Sequence, residues 1–293
     1  MILIIGSNGQ LGRQMQKALN ARNEPFAAYD YPDIDIAEPD AVQSLIENVK
    51  PDAVVNCAAY TNVDKAEAEE AIAYHINALG PKYLAQACAD KDIELVHIST
   101  DYVFSGEPLM RDGQPRAYLE EDPCGPTTAY GRTKLAGERF VQEICRKTYI
   151  LRTAWLYGDG HNFVRTMLRL AETYDTLTVV DDQIGSPTST VDLAEAICAL
   201  IGTGEYGLYH ATCEGQCSWY DFAKKIFEIA SKTIKVIPVT SETYAQAHPA
   251  AAPRPRWSVL ENAHLNQIGK NSFRSWDVAL KAYLQDEQAK GKD

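Results

Sequence analysis

Two stretches of the 293-residue chain set a tyrosine four positions ahead of a lysine: Tyr130 and Lys134 in "AYGRTKLAGE", and Tyr220 and Lys224 in "WYDFAKK". A phenol, with an ordinary pKa of about 10, is a poor acid–base group at neutral pH unless a neighbouring cation lowers it. On a helix the residue at i+4 shares the tyrosine's face, so the lysine ammonium supplies that charge. Such a pair can hand a proton to a carbonyl oxygen while hydride reaches its carbon. Spacing alone is a weak signal: with 16 tyrosines in the chain, about one such pair arises by chance.

Context separates the two. "IELVHIST" ends in Thr100, whose hydroxyl can orient the same carbonyl oxygen, and Tyr130 follows it after the proline-punctuated loop "EDPCGPTTA". Hydroxyl, phenol and ammonium then form a three-part site of Thr100, Tyr130 and Lys134. Gly131 and Gly137 in the same helix cost about 1 kcal/mol each relative to alanine, so they are expected to serve close packing. Tyr220 instead neighbours Trp219, Phe222, Ile226 and Phe227, an ordinary core face, with Ser218 placed as its N-cap. We read Tyr130–Lys134 as the working pair and Tyr220–Lys224 as surface geometry.

The elements that must hold this site alternate. "MILIIGS", "PFAAYD", "DAVVNCAA", "IELVHIST" and "TYILRTAWLYG" read as strands, with helices over 10–22, 38–49, 66–90 and 128–147 between them. Apolar strands alternating with helices predict a doubly wound parallel sheet, an α/β fold of Rossmann type. After the first strand comes Gly6-Ser-Asn-Gly9-Gln-Leu-Gly12. Its glycines allow a tight turn against pyrophosphate, and the next helix offers its N-terminal N–H groups. Asp30 closes the second strand, where a carboxylate accepts from ribose hydroxyls and repels a 2′-phosphate, favouring NADH over NADPH. Ala58 and Ala59, at the end of the third strand, leave room for ribose and nicotinamide.

Residues 1–157 are therefore expected to form a dinucleotide-binding domain. Residues 158–293 form mainly a smaller α/β substrate-binding lobe, some segments returning to the first sheet. Helices are expected over 162–172, 192–201, 219–231 and the tail, with short strands in "LTVVDDQIGSPTST" and "KVIPVT".

Composition excludes several classes. A net charge of −12 with scattered arginines repels a polyanion, so no nucleic acid is expected. No apolar run reaches about 18 residues and "ILII" is too short for an export signal, so a cytoplasmic protein with no membrane role is expected. Seven cysteines are an odd, dispersed set, read as reduced thiols, and Cys213 and Cys217 form CxxxC with no partner pair nearby. The histidines include no HxxxH, and no metal is expected.

Together the glycine loop, the small-residue third strand, the strand-end threonine and YxxxK resemble the extended short-chain dehydrogenase/reductases. "NCAAYTNVDKAE", "HISTDYVFSG", "RTAWLYG", "NFVRTMLRLA", "VVDDQIGSPT" and "RPRWSVL" are similar to the dTDP-4-dehydrorhamnose reductase branch, over residues 1 to about 260. That resemblance implies reduction of the 4-keto group of a dTDP-sugar by NADH or NADPH. It implies Gly6, Gly9, Gln10, Leu11 and Gly12 at the pyrophosphate, Asp30 at the adenosine ribose, and Ala58, Ala59 and Tyr60 beside the ribose–nicotinamide, with Tyr130 and Lys134. Thr100, Asp101, Tyr102 and Trp155 fall on the substrate side; Asn162, Gln183 and Arg254 are candidates for the substrate's nucleotide.

Some members of that branch bind Mg²⁺ through acidic residues at a dimer interface; Met15 stands where one such acid is expected, and monomer and homodimer both stay open. The run Thr100-Asp101-Tyr102 lacks the second acid of the nucleotide-sugar dehydratases. A sugar epimerase and a non-catalytic regulatory subunit of the same fold are the remaining alternatives.

Overall fold

The computed structural model describes residues 1–290. The first half alternates as β1 (Ile2–Ile5), α1 (Gln10–Ala21), β2 (Phe26–Tyr29), α2 (Pro39–Val49) and β3 (Ala53–Asn56). It continues with α3 (Val63–Ala68), α4 (Glu70–Tyr74), a π-helical turn (His75–Leu79), α5 (Gly80–Asp90) and β4 (Glu94–Thr100). A small hairpin of β5 (Leu109–Arg111) and β6 (Gln114–Arg116) precedes α6 (Ala129–Ile144), β7 (Thr148–Thr153) and β8 (Leu156–Tyr157).

The remainder comprises α7 (Phe163–Leu170), β9 (Thr176–Val180), β10 (Ile184–Gly185), β11 (Thr188–Ser189), α8 (Thr190–Leu200), β12 (Gly207–His210) and β13 (Cys217–Ser218). It closes with α9 (Trp219–Ile229), β14 (Lys235–Val239), α10 (Ser241–Ala247), β15 (Trp257–Ser258), α11 (Ala263–Gln267) and α12 (Trp276–Lys290).

Six strands form one parallel sheet in the order β12-β7-β4-β3-β1-β2. Alternation along β1 explains its two-sided burial. Ile2 and Ile4 join α1 and α8 on one face; Leu3 and Ile5 join α2, α5 and α6 on the other. Strand order reverses between β1 and β3, so a crevice opens beyond their carboxyl ends. The last strand, β12, comes from beyond residue 200 and pairs with β7, and α8 packs with α1. The second lobe has its own core, in which Tyr157, Val164, Phe222, Ile226 and Leu280 meet.

Three local differences from the sequence-based reading bear on the site. The helical stretch expected over 66–90 begins at Val63 and is divided by the π-helical turn, a new helix, α5, starting at Gly80–Pro81. "TYILRTAWLYG" is not one strand: it breaks after Thr153, and Trp155 adopts a left-handed φ of 48°. Strand β12, "GLYH", is too short and too mixed in polarity to announce itself. All seven cysteines are free thiols.

Candidate active site at the carboxyl edge of the sheet

A cleft of about 1280 Å³ lies over the carboxyl ends of β1, β3 and β4. Its floor begins at Gly6, which has φ +76° and whose missing Cβ would stand 2.5 Å from the Ala58 nitrogen. Only glycine lets these two strand ends meet so closely. Gly9, the N-cap of α1, contributes no side-chain cap, and the first turn holds no acidic residue. Its N–H groups and the positive end of the helix dipole thus stay open to an anion.

Asp30 lines the same cleft, with one carboxylate oxygen accepting from the Asn8 N–H at 2.6 Å and the other from the Tyr31 N–H at 2.8 Å. At the end of β3 the Ala58 N–H donates to Asn56 Oδ1 at 3.1 Å. Asn56 in turn meets His97, whose burial keeps its imidazole neutral.

The three residues singled out for chemistry converge. Thr100 ends β4, its hydroxyl donating to Asp101 Oδ1 at 2.9 Å, and it lines the cleft together with Tyr130 at the start of α6. Thr128 caps α6 by accepting from the Gly131 N–H at 3.1 Å, which aims the first turn at the cleft. A Cβ on Gly131 would stand 2.2 Å from the Tyr102 carbonyl oxygen, and one on Gly137 2.2 Å from that of Asn77. These glycines let α6 lie directly against the β4 turn and the π-helical turn.

The electrostatics differ from the simple expectation. Burial pushes the Tyr130 phenol up to about 12, with the Asp101 charge adding to the rise and Thr100 opposing it. The Lys134 ammonium, 2% exposed, donates to the Ile98 carbonyl at 2.6 Å, and no hydrogen bond joins it to Tyr130. Burial lowers Lys134 to about 8, and Glu138 one turn on opposes that fall. Glu138 is itself gripped by Arg152 through three hydrogen bonds of 2.7 to 3.2 Å.

On the substrate side, Tyr102 packs edge-on against Tyr130 with ring centres 5.4 Å apart. Arg254 is the one arginine lining the cleft, and it is paired with Asp64 at 2.9 Å. Trp155 lines the cleft and lies flat on Trp219, the ring centres 3.5 Å apart.

Gln10, Leu11, Ala59 and Asp101 also line the cleft, whereas Gly12, Tyr60, Asn162 and Gln183 do not. Gly12 packs against the Gly6 carbonyl. Tyr60 is tied through its backbone to the Asn77 side chain and through its hydroxyl to Glu69. Asn162 caps α7 and reaches Gln10 at 3.1 Å. Gln183 donates to Ser241 at 2.9 Å.

Several lining residues carried no signal in the sequence: His75 and Ile76 on the π-helical turn, His161, Phe163 and Trp219. Trp219 opens the very segment that holds the second Tyr-x-x-x-Lys. There Lys224 is exposed and sits 4.9 Å from the Tyr220 ring centre, a surface cation–π contact.

A parallel sheet with a glycine loop at its order reversal and a Thr–Tyr–Lys cluster on the neighbouring strand end defines a Rossmann-type reductase architecture. Within that class the chain belongs to the RmlD substrate binding domain family, which matches residues 1–289. A dTDP-4-dehydrorhamnose reductase of Streptomyces griseus is 44% identical over 95% of this chain and 91% of its own. A solved dTDP-4-dehydrorhamnose reductase of Clostridium acetobutylicum is 48% identical with TM-score 0.93, covering 98% of this chain and 99% of the other. The Bacillus anthracis counterpart, solved in complex with NADP, is 41% identical with TM-score 0.91 over 97% and 98%. A Thermus thermophilus UDP-glucose 4-epimerase, 20% identical with TM-score 0.78, shares the fold alone.

Proposed function

We propose that the protein is an NAD(P)H-dependent oxidoreductase that reduces the 4-keto group of dTDP-4-dehydro-6-deoxy-L-mannose, giving dTDP-L-rhamnose. The observation that carries this reading is the convergence of Thr100, Tyr130 and Lys134 beside the glycine loop in one cleft, in a chain of this family. The missing Cβ of Gly6 and the uncapped start of α1 suit a pyrophosphate. A reduced nicotinamide dinucleotide, when bound, supplies the hydride.

Each side chain then has a task. The Tyr130 phenol keeps its proton at neutral pH and donates it to the sugar's 4-oxygen. Thr100 orients that oxygen, and Lys134 holds positive charge beneath the site. Asp101, Tyr102 and Trp155 border the sugar, and Arg254 leaves Asp64 to meet the substrate diphosphate, the charge-assisted contact a dTDP group needs. Asp30, fixed by two main-chain donors, favours NADH by accepting from ribose hydroxyls. No metal is assigned a role.

A second substrate has a specific basis: a dTDP-4-keto-6-deoxy-D-glucose reductase of Streptomyces niveus is 41% identical over 95% of this chain. Purified protein should oxidise NADH, and NADPH less efficiently, only when a dTDP-4-keto-6-deoxy sugar is added, and NMR of the product identifies the sugar. Absence of keto-sugar-dependent oxidation would overturn the reading. That outcome would favour a non-catalytic role.

A further inference from the structure

Trp155 carries a bulky side chain at a left-handed φ of 48°, a conformation such residues keep only when their surroundings hold them there. Its backbone is anchored: the carbonyl accepts from the Thr188 N–H at 3.2 Å, and β8, which follows, pairs with β11. Two further contacts fix the indole. Trp219 lies along its face, with ring centres 3.5 Å apart and planes 8° from parallel. Gly185 lies at its nitrogen side, where an added Cβ would stand 2.4 Å from Trp155 Cε2 and 2.7 Å from Nε1. No left-handed φ calls for glycine at 185; the missing side chain makes room for the indole.

The two walls of this notch are neighbours in one small sheet. Gly185 on β10 pairs with Cys217 on β13, and Trp219 follows that strand as the first residue of α9. Ser218 fixes the start of α9 by accepting from the Asp221 N–H at 3.0 Å while donating to Asp181 at 2.6 Å. The notch therefore lies in the second half of the chain, whereas the indole it holds springs from the end of β7. Thr153 pairs in register with Thr100, so Trp155 stands two residues beyond the strand pair that carries the Thr100 hydroxyl. Trp155 and Trp219 are both half-buried and line the cleft.

We propose, resting on the reductase reading, that Trp219 and Gly185 position the Trp155 indole as the apolar wall that selects a methyl group at carbon 6 of the sugar. An indole face packs well on C–H groups and offers nothing to a hydroxyl. A hydroxymethyl group at carbon 6 would lose water against that wall without gaining a partner. Trp219 and Gly185 act through Trp155, which makes them positioning residues.

Oxidation of dTDP-L-rhamnose and of dTDP-L-mannose, with oxidised dinucleotide in excess, tests this, because the two sugars differ only in the hydroxyl at carbon 6. The unmodified enzyme should favour the 6-deoxy sugar by about 10–100-fold in kcat/KM, the range an apolar wall can give. Trp219→Ala should bring that ratio within about threefold, chiefly through KM, while the dinucleotide Kd stays within about twofold. Trp219→Phe, still a flat ring, should restore most of the preference. Gly185→Ala displaces the same indole from another element and should lose the preference as well; it decides the matter if Trp219→Ala does not fold. Adding Trp219→Ala to Trp155→Ala should cost nothing further. An unchanged ratio in Trp219→Ala or Gly185→Ala, a further loss on top of Trp155→Ala, or no preference in the unmodified enzyme would overturn the proposal. An unmodified enzyme that turns over neither sugar would instead remove the proposed reduction, and the wall's role with it.

Discussion

Lys134 donates to the main-chain carbonyl of Ile98 at 2.6 Å and makes no hydrogen bond to Tyr130, although the two stand one helical turn apart on α6. Burial lowers its pKa from 10.5 to about 8. Because the folded value lies below the unfolded one, the buried charge costs stability in full below pH 8, and the cost vanishes above 10.5. Lys134→Met, which keeps the stem's bulk, should therefore raise Tm at pH 7 by about 3 °C or more. The gain should fade as pH approaches 10.5, and turnover should be lost. Calorimetry across this range checks the sign; a lowered Tm at pH 7 would show the ammonium to be a net structural tie.

Burial raises the Tyr130 phenol, so in the proposed reaction it enters as an acid. Tyr130→Phe should lower kcat by about 10²–10⁴-fold, the usual range for a positioned proton donor. Dinucleotide affinity, followed by fluorescence titration, should change little. Full turnover in this variant would remove Tyr130 from the chemistry.

The contact of Gly6 with the Ala58 backbone predicts a cofactor defect. Gly6→Ala adds a Cβ 2.5 Å from Ala58 N at a φ of +76°. Strain of about 1–3 kcal/mol translates into roughly 10–100-fold weaker dinucleotide binding. Calorimetric titration with NADH and NADPH measures it, and unchanged affinity would place the pyrophosphate elsewhere.

Arg254 should act on the substrate alone. Removing a charge-assisted contact of about 1.5–3 kcal/mol should raise KM for the dTDP-sugar roughly 10–100-fold in Arg254→Gln. The cofactor's Kd should hold. Asp64→Asn, which frees Arg254 from its partner, should move KM the other way. Equal losses for sugar and cofactor in Arg254→Gln would argue for a structural post.

The parts of this site that were legible in the sequence are those whose chemistry is local. A glycine loop between strand and helix, a threonine at a strand end and Tyr-x-x-x-Lys each need only a short segment to be recognised, and the parallel strands carry continuous apolar runs. What was hidden depends on contacts between distant segments. The sequence does not show that the amides of Asn162 and Gln183, read as substrate contacts, also bond Gln10 and Ser241. Trp219 looks like core and lies in the cleft, because the left-handed turn at Trp155 brings the two indoles together. Helical spacing places Lys134 on the face of Tyr130, but it does not reveal that the Ile98 carbonyl competes for the ammonium.

The return of residues 207–210 to the edge of the main sheet has a consequence for how the chain can be divided. A fragment ending at residue 157 would carry five of the six strands, with β7 left as a bare edge and α1 stripped of α8. Residues 1–157 are thus not expected to fold as a unit on their own. Limited proteolysis near residue 160 should leave a nicked, still-associated pair of fragments, and separate expression of the first should give aggregate. Recombination among relatives would conserve function only where both pieces travel together.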